Sequence, residues 1–127
     1  MNISTNSWGL YPWFIEDGEQ LIFPSDLERF KKLLPNGKVF KCIHEVDGYL
    51  VLEYGKNTFR VKSDLFKPVD KPIFEIGCNV RLVKEHEQEG TIEAINWHYK
   101  NDEPMYYLII NGKRKSTRYF NEDLIAI

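Results

Sequence analysis

The sequence predicts a mainly β protein made of two small β units, with one short helix at residues 25–34. Three observations support this. Aromatic residues make up 14% of the 127 residues, a share typical of β structure. The turn dipeptides Asp47-Gly48 and Asn111-Gly112 separate segments of alternating apolar and polar residues. The segment 67–72 contains two prolines and three charged residues, which is typical of a linker. We therefore expect an N-terminal unit at 1–70 and a C-terminal unit at 71–127.

The helix has start and stop signals. Ser25 and Glu28 have the S-x-x-E spacing of a capping box. Leu27, Phe30, Leu33 and Leu34 then follow at helical spacing, which predicts one buried face. The segment 35–37, Pro-Asn-Gly, is expected to end the helix.

Strands and tight turns are predicted for the rest of the chain. In the first unit the alternation predicts strands at 38–45, 49–54 and 58–62. In the second unit it predicts strands at 80–83, 90–98, 105–110, 113–120 and 125–127, with one 3₁₀ turn at 121–124.

The two units share a weak internal repeat. Residues 49–65 and 106–124 each contain an apolar strand, then Gly-Lys, an arginine and Asp-Leu. Duplication of one small barrel would produce this pattern, and so would chance similarity between two hairpins.

Residues 74–127 resemble SH3-like small barrels of the Tudor/KOW type. Phe74, Gly77 and Val80 match an F-x-x-G-x-x-V entry into the first strand, and the segment 89–95 is similar to the second strand. With the repeat, the resemblance implies two SH3-like barrel units and says little about function.

The whole chain is also similar to a family of small, uncharacterised bacterial proteins that open with Trp-Gly-Leu-Tyr-Pro-Trp, here residues 8–13. That resemblance implies a fold and a bacterial source, and it implies no activity.

Composition argues against several classes of function. The chain has 17 Lys and Arg, 19 Asp and Glu and a net charge of −2, so it is neither a basic nucleic-acid coat nor a polybasic membrane anchor. No run approaches the ~18 apolar residues of a membrane helix. The N-terminus lacks the features of a secretory signal. We therefore expect a cytoplasmic location, no membrane contact, and free thiols at Cys42 and Cys78.

Catalytic chemistry has weak support. Cys42 and His44 are two residues apart on a predicted strand and would share a face, but no further residue is placed to orient them as a nucleophile and base. The histidines, cysteines and acidic residues lack the spacing of a zinc site, and no phosphate-binding loop is present. We expect no enzyme activity, no cofactor and no metal.

Aromatic residues form the main candidate binding surface, composed of Trp8, Tyr11, Trp13, Trp97, His98 and Tyr119. Small barrels use such residues to bind peptides, methylated lysine or bases. Packing inside the protein is the alternative, because apolar rings are driven to leave water. Lys113, Arg114 and Arg118 could contact phosphates, or they could keep a hairpin edge soluble.

The sequence therefore favours a non-catalytic protein-binding module. An immunity protein that inhibits a bacterial toxin and a nucleic-acid-associated barrel are the alternatives, and a small enzyme has the least support. The expected partner is a protein, and no oligomeric state is indicated.

Overall fold

The computed structural model describes residues 6–127 and confirms a mainly β fold, with ten strands in two five-stranded antiparallel sheets. The chain divides into two compact units, Met1–Lys71 and Pro72–Ile127. The first five residues of the N-terminal unit predicted at 1–70 lie outside the described residues.

The first unit contains one sheet and the only α-helix of the described residues, α1 (Leu27–Leu33). Its strands are β1 (Ser7–Leu10), β2 (Val39–Val46), β3 (Tyr49–Tyr54), β4 (Asn57–Val61) and β5 (Lys67–Val69). They lie in the order β4-β3-β2-β1-β5. A long connection between β1 and β2 carries α1 and three 3₁₀ turns, and a further 3₁₀ turn, Ser63–Leu65, precedes β5.

The second unit repeats this connectivity. Its strands are β6 (Asn79–Leu82), β7 (Glu89–His98), β8 (Glu103–Ile110), β9 (Lys113–Arg114) and β10 (Leu124–Ala126). The order is β10-β6-β7-β8-β9, and a 3₁₀ turn, Asn121–Asp123, precedes β10. In both units the fifth strand lies beside the first, and the second strand carries a β-bulge. The shared plan agrees with the repeat seen in the sequence.

The two predicted hairpin turns are confirmed by their backbone angles. Asp47 and Gly48 have φ values of 49° and 81°, and Asn111 and Gly112 have values of 53° and 76°. Positive φ at both central residues is the requirement of a type I′ turn, which Asp-Gly and Asn-Gly satisfy most easily.

The structure differs from the predicted strands at three places. Residues 7–10 were not predicted to form a strand, yet they pair with both β2 and β5. Residues 67–69 form β5, although they were assigned to the linker. Only Lys113 and Arg114 of the predicted strand 113–120 join the ladder, together with a single bridge between Tyr106 and Tyr119. Residues 115–118 are all polar and exposed, so no apolar face holds them against the sheet.

The predicted capping box is also wrong. The helix begins after Asp26, and no side chain of the described residues caps it. The Asp26 carboxylate instead accepts hydrogen bonds from the Arg60 backbone N–H at 2.9 Å and from Arg60 Nε at 3.0 Å. These hydrogen bonds therefore connect the start of α1 to β4.

Aromatic rings fill the core of each unit. In the first unit Phe30 of α1 is fully buried, and its ring centroid lies 5.2–5.9 Å from the centroids of Tyr11, Trp13, Phe40 and Phe59. Phe30 thus packs the long connection between β1 and β2 against the sheet.

In the second unit the buried Tyr106 packs edge-on against Phe74. Its hydroxyl donates to Asn121 Oδ1 at 2.7 Å, which satisfies the polar end of the ring.

Candidate functional site

The three N-terminal aromatic residues proposed for binding are packed inside the first unit. Trp8, Tyr11 and Trp13 are all buried. The Tyr11 hydroxyl donates to the Lys62 carbonyl at 2.5 Å, and Trp13 Nε1 donates to the Gly18 carbonyl at 2.9 Å. Burial raises the pKa of Tyr11, and the Asp64 and Asp17 carboxylates add to the effect. The Tyr11 hydroxyl is therefore neutral and remains a donor at neutral pH.

An exposed apolar groove lies directly beside this packed segment. Its cavity is about 250 Å³ and is lined by Trp13, Phe14, Ile15, Lys31, Leu34, Pro35 and Asn36. We call it the Leu34 groove. Three of its apolar side chains are unusually accessible: Phe14 is 54% exposed, Ile15 47% and Leu34 73%. Adjoining apolar side chains exposed in this way mark interaction surfaces more often than single exposed residues do.

Leu34 occupies this position because of the way the helix ends. It is the C-cap of α1, with φ 57° and ψ 69°, in the left-handed region. Glycine is the usual residue there, and a side chain such as leucine costs about 1–2 kcal/mol. The next residue, Pro35, cannot continue the helix because it lacks a backbone N–H. Leu34 thus combines a strained backbone with an exposed apolar side chain, a combination that often marks function.

The sequence prediction placed Leu34 on the buried face of the helix, and the structure corrects this. Helical spacing ends at Leu33, and the left-handed cap turns the next side chain outward. The Pro-Asn-Gly stop that follows Leu34 was the available signal, because the residue before such a stop is a C-cap rather than a helical residue.

A lysine side chain lies at the groove. Lys31 Nζ lies 3.3 Å from Glu28 Oε1. The Glu28 side chain is 75% exposed, and surface pairs of this kind contribute little. A carboxylate from a ligand could therefore compete with Glu28 for Lys31.

The candidate residues of the second unit lie in two places. Trp97 is buried, and its Nε1 donates to Asp102 Oδ1 at 3.3 Å. His98 Nδ1 accepts from the Asn101 backbone N–H at 3.1 Å, and its ring packs edge-on against Phe120. These contacts stabilise the turn between β7 and β8.

Tyr119 and Arg118 line a separate cavity of about 370 Å³. Its other lining residues are Leu82, Lys84, Glu85, Thr117 and Asp123. Two acidic and two basic residues line it, so it has no dominant charge.

Two of the three basic residues proposed for phosphate contact have acidic neighbours. Lys113 and Arg114 are exposed on β9. Arg114 Nε lies 2.9 Å from Glu93 Oε2, as an ion pair without hydrogen-bond geometry. Arg118 shares its cavity with Glu85 and Asp123. These carboxylates weaken the positive potential on which phosphate binding depends.

Cys42 and His44 do not share a face, contrary to the sequence prediction. The bulge in β2 lies between them, and it reverses the alternation, so that Cys42 is buried and His44 is exposed. Burial raises the pKa of the Cys42 thiol. The two side chains therefore lack the arrangement of an activated nucleophile and its base.

Residues 6–127 contain neither a candidate metal site nor a candidate membrane helix. Within this range no three His, Cys, Asp or Glu side chains are grouped closely enough to hold a metal ion. Nor is any helix of the described chain both long enough and apolar enough to cross a membrane.

The described residues form a mainly β protein of two topologically equivalent units, and the first unit carries an exposed apolar groove. The chain belongs to a family of unknown function, DUF6960, whose model matches residues 1–125. No curated protein and no solved structure gives a significant match.

Proposed function

We propose that the protein is a non-catalytic protein-binding module and that the Leu34 groove is its binding site. The observation that carries this proposal is the exposed leucine in a left-handed backbone conformation. The fold holds Leu34 outside the core at a cost in stability, beside two further exposed apolar side chains. Engagement with a partner would compensate for that cost.

The size of the groove favours a side chain over a small-molecule ligand. Its volume of about 250 Å³ is below the ~300–1,000 Å³ of typical small-molecule sites. One or two bulky side chains of a partner would fill it, as in the anchor pockets at the centre of protein interfaces.

The lining of the groove also suggests the chemistry of its partner. All but two of the described lining residues are apolar, and Lys31 is the only charged one among them. We expect a protein segment with a bulky apolar anchor and a nearby carboxylate that displaces Glu28 from Lys31. Inhibition of a toxin by an immunity protein would be one form of this function.

The alternatives are less well supported. The arginines proposed for nucleic-acid contact have acidic neighbours. Catalysis by Cys42 is disfavoured by the burial of its thiol and by the bulge that separates it from His44.

A library of short random peptides displayed on phage tests the proposal. The full chain is the bait, and the affinity of a selected synthetic peptide is then measured by calorimetry. We expect selected peptides to pair a large apolar residue with Asp or Glu. Their affinity should fall about tenfold or more in Leu34→Gly, since loss of an anchor commonly exceeds ~1.4 kcal/mol.

Two further variants make the result specific. Lys31→Gln should weaken the same peptides, and more strongly at low salt than at high salt. Ile73→Ser alters an apolar residue that is 67% exposed but lies in the other unit, and it should leave the affinity unchanged. Peptides that bind Leu34→Gly as well as they bind the natural chain would refute the groove as the site.

A further inference from the structure

The strand β10 is an open edge of the second sheet. Among residues 6–127 it pairs only with β6, in the register Leu124↔Leu82, Ile125↔Arg81 and Ala126↔Val80. Flanking hydrogen bonds run from the Val83 N–H to the Asp123 carbonyl and from the Ile127 N–H to the Asn79 carbonyl.

These bonds fix the direction of every backbone group in β10. In an antiparallel ladder, hydrogen-bonded and non-hydrogen-bonded pairs alternate. Because residues 123 and 127 bond toward β6, Ile125 bonds toward β6 as well. The N–H and C=O groups of Leu124 and Ala126 therefore point away from the sheet. No hydrogen bond to these four groups occurs among residues 6–127.

This edge lacks the usual protection against pairing. Natural sheets protect their edges with charged residues, proline or bulges. The equivalent strand β5 follows this rule, since it contains Lys67 and Pro68. The β10 sequence is Leu-Ile-Ala, without a charge or a proline. Ile125 is 48% exposed and Ile127 is 63% exposed, so apolar side chains lie along the open edge.

We propose that β10 pairs antiparallel with β10 of a second copy of this chain, about a two-fold axis at Ile125. This inference is independent of the Leu34 groove. The outward groups occur on two residues that lie one on each side of Ile125. A two-fold axis there sets Leu124 opposite Ala126 of the second copy, and Ala126 opposite Leu124. Each pair exchanges two hydrogen bonds, so the edge is complementary to itself.

The charged side chains next to β10 are compatible with such pairing. The two Ile125 side chains would lie opposite each other as a non-hydrogen-bonded pair, where side chains approach most closely. Arg81 is next to Ile125 on β6, and its Nη2 lies 3.4 Å from Glu89 Oε1. The residues directly opposed in this register are Leu124 with Ala126 and Ile125 with Ile125, and none of them is charged.

The predicted association is weak. Three paired residues from each chain form an interface well below the ~1,200 Å² of stable complexes. Dimers should therefore form at high concentration, and they should join the two sheets of five strands into one of ten.

Sedimentation velocity of the full chain over a range from micromolar to millimolar tests this inference. The natural chain should change from monomer to dimer as its concentration rises. Amide exchange at Leu124 and Ala126 should slow over the same range. Ala126→Pro removes an outward N–H and leaves the bonds to β6 in place, so it should stay monomeric while keeping its melting temperature within a few degrees.

Further variants provide the controls. Ile125→Lys places like charges at the axis and should also stay monomeric, whereas Ile73→Lys, which adds the same charge outside β10, should dimerise normally. A natural chain that is monomeric throughout would overturn the proposal, as would a dimer that survives both β10 substitutions. Loss of the dimer in Leu34→Gly would assign association to the groove instead.

Discussion

Asp26 allows the sharpest test of how the first unit is held together. The residue is 4% exposed. Its carboxylate accepts four hydrogen bonds: three from Arg60, through the backbone N–H, Nε and Nη2, and one from Arg29 Nη2 at 2.9 Å. Asp26→Asn keeps the shape and one acceptor oxygen, but removes the charge and leaves an amide N–H₂ facing two guanidinium groups.

The loss of stability caused by Asp26→Asn can be bounded from the solvent exposure of its two arginine partners. Hydrogen bonds to a charged group contribute about 1.5–3 kcal/mol. The partners are partly solvated, with the Arg60 side chain 39% exposed and that of Arg29 51%, so solvent screening reduces the ionic contribution. We expect Asp26→Asn to lower the free energy of unfolding by about 2 kcal/mol.

The effect should depend on pH in a defined direction. Burial raises the pKa of the Asp26 carboxyl, but hydrogen bonds from Arg60 and Arg29 outweigh it and lower the net pKa below its usual value. The folded state therefore binds this proton less readily than the unfolded state. The stabilisation is complete above the unfolded pKa, about 3.9, and is lost as the pH falls through the lower folded pKa.

Urea denaturation at neutral pH and near pH 3 is the assay. The matched control is Glu28→Gln, which neutralises an exposed carboxylate on the same helix and should change stability by less than about 0.5 kcal/mol. The difference in the free energy of unfolding between the natural chain and Asp26→Asn should be smaller at the lower pH. Equal stability of Asp26→Asn and Glu28→Gln at neutral pH would refute this account of the cluster.

Two further substitutions and one chemical reaction test other parts of the structure. In Gly9→Ala the new Cβ would lie 2.5 Å from Phe66 Cζ, so thermal melts should show a loss of at least about 2 kcal/mol; a loss under ~0.5 kcal/mol would contradict this packing. The buried Cys42 thiol, whose pKa is raised, should react with iodoacetamide much more slowly than the half-buried Cys78, and equal rates by mass spectrometry would disprove it. Leu34→Gly should raise stability by about 1 kcal/mol in urea, because it relieves the left-handed leucine; a loss of stability would show that Leu34 contributes to packing.

Local sequence signals predicted the parts of the fold that depend on neighbouring residues. The Asp47-Gly48 and Asn111-Gly112 turns were predictable because few other residues adopt positive φ at two successive positions. By contrast, β1 and β5 are short, contain Gly9 and Pro68, and pair with residues far away in the sequence. Those pairings depend on long-range contacts, which local periodicity does not reveal.

The site was harder to predict than the fold. Aromatic composition alone does not distinguish Trp13, which packs on Phe30, from Phe14, which projects into solvent. The direction of Leu34 depends on one pair of backbone angles at the helix end. Whether a side chain is exposed therefore depended on the conformation of single residues. The strands, by contrast, were specified by patterns that extend over many residues.

The different lengths of the connection between the first and second strands have a kinetic consequence. Residues 11–38 join β1 to β2, whereas only residues 83–88 join β6 to β7. Loop-closure entropy rises with the logarithm of length, so closing the longer connection costs about 1.4 kcal/mol more. We expect the second unit to fold first, with amide protection in β6 and β7 appearing before that in β1 after dilution from denaturant. The two units share one connectivity, but they would then differ in folding rate because of the longer connection between β1 and β2. The same connection carries the Leu34 groove.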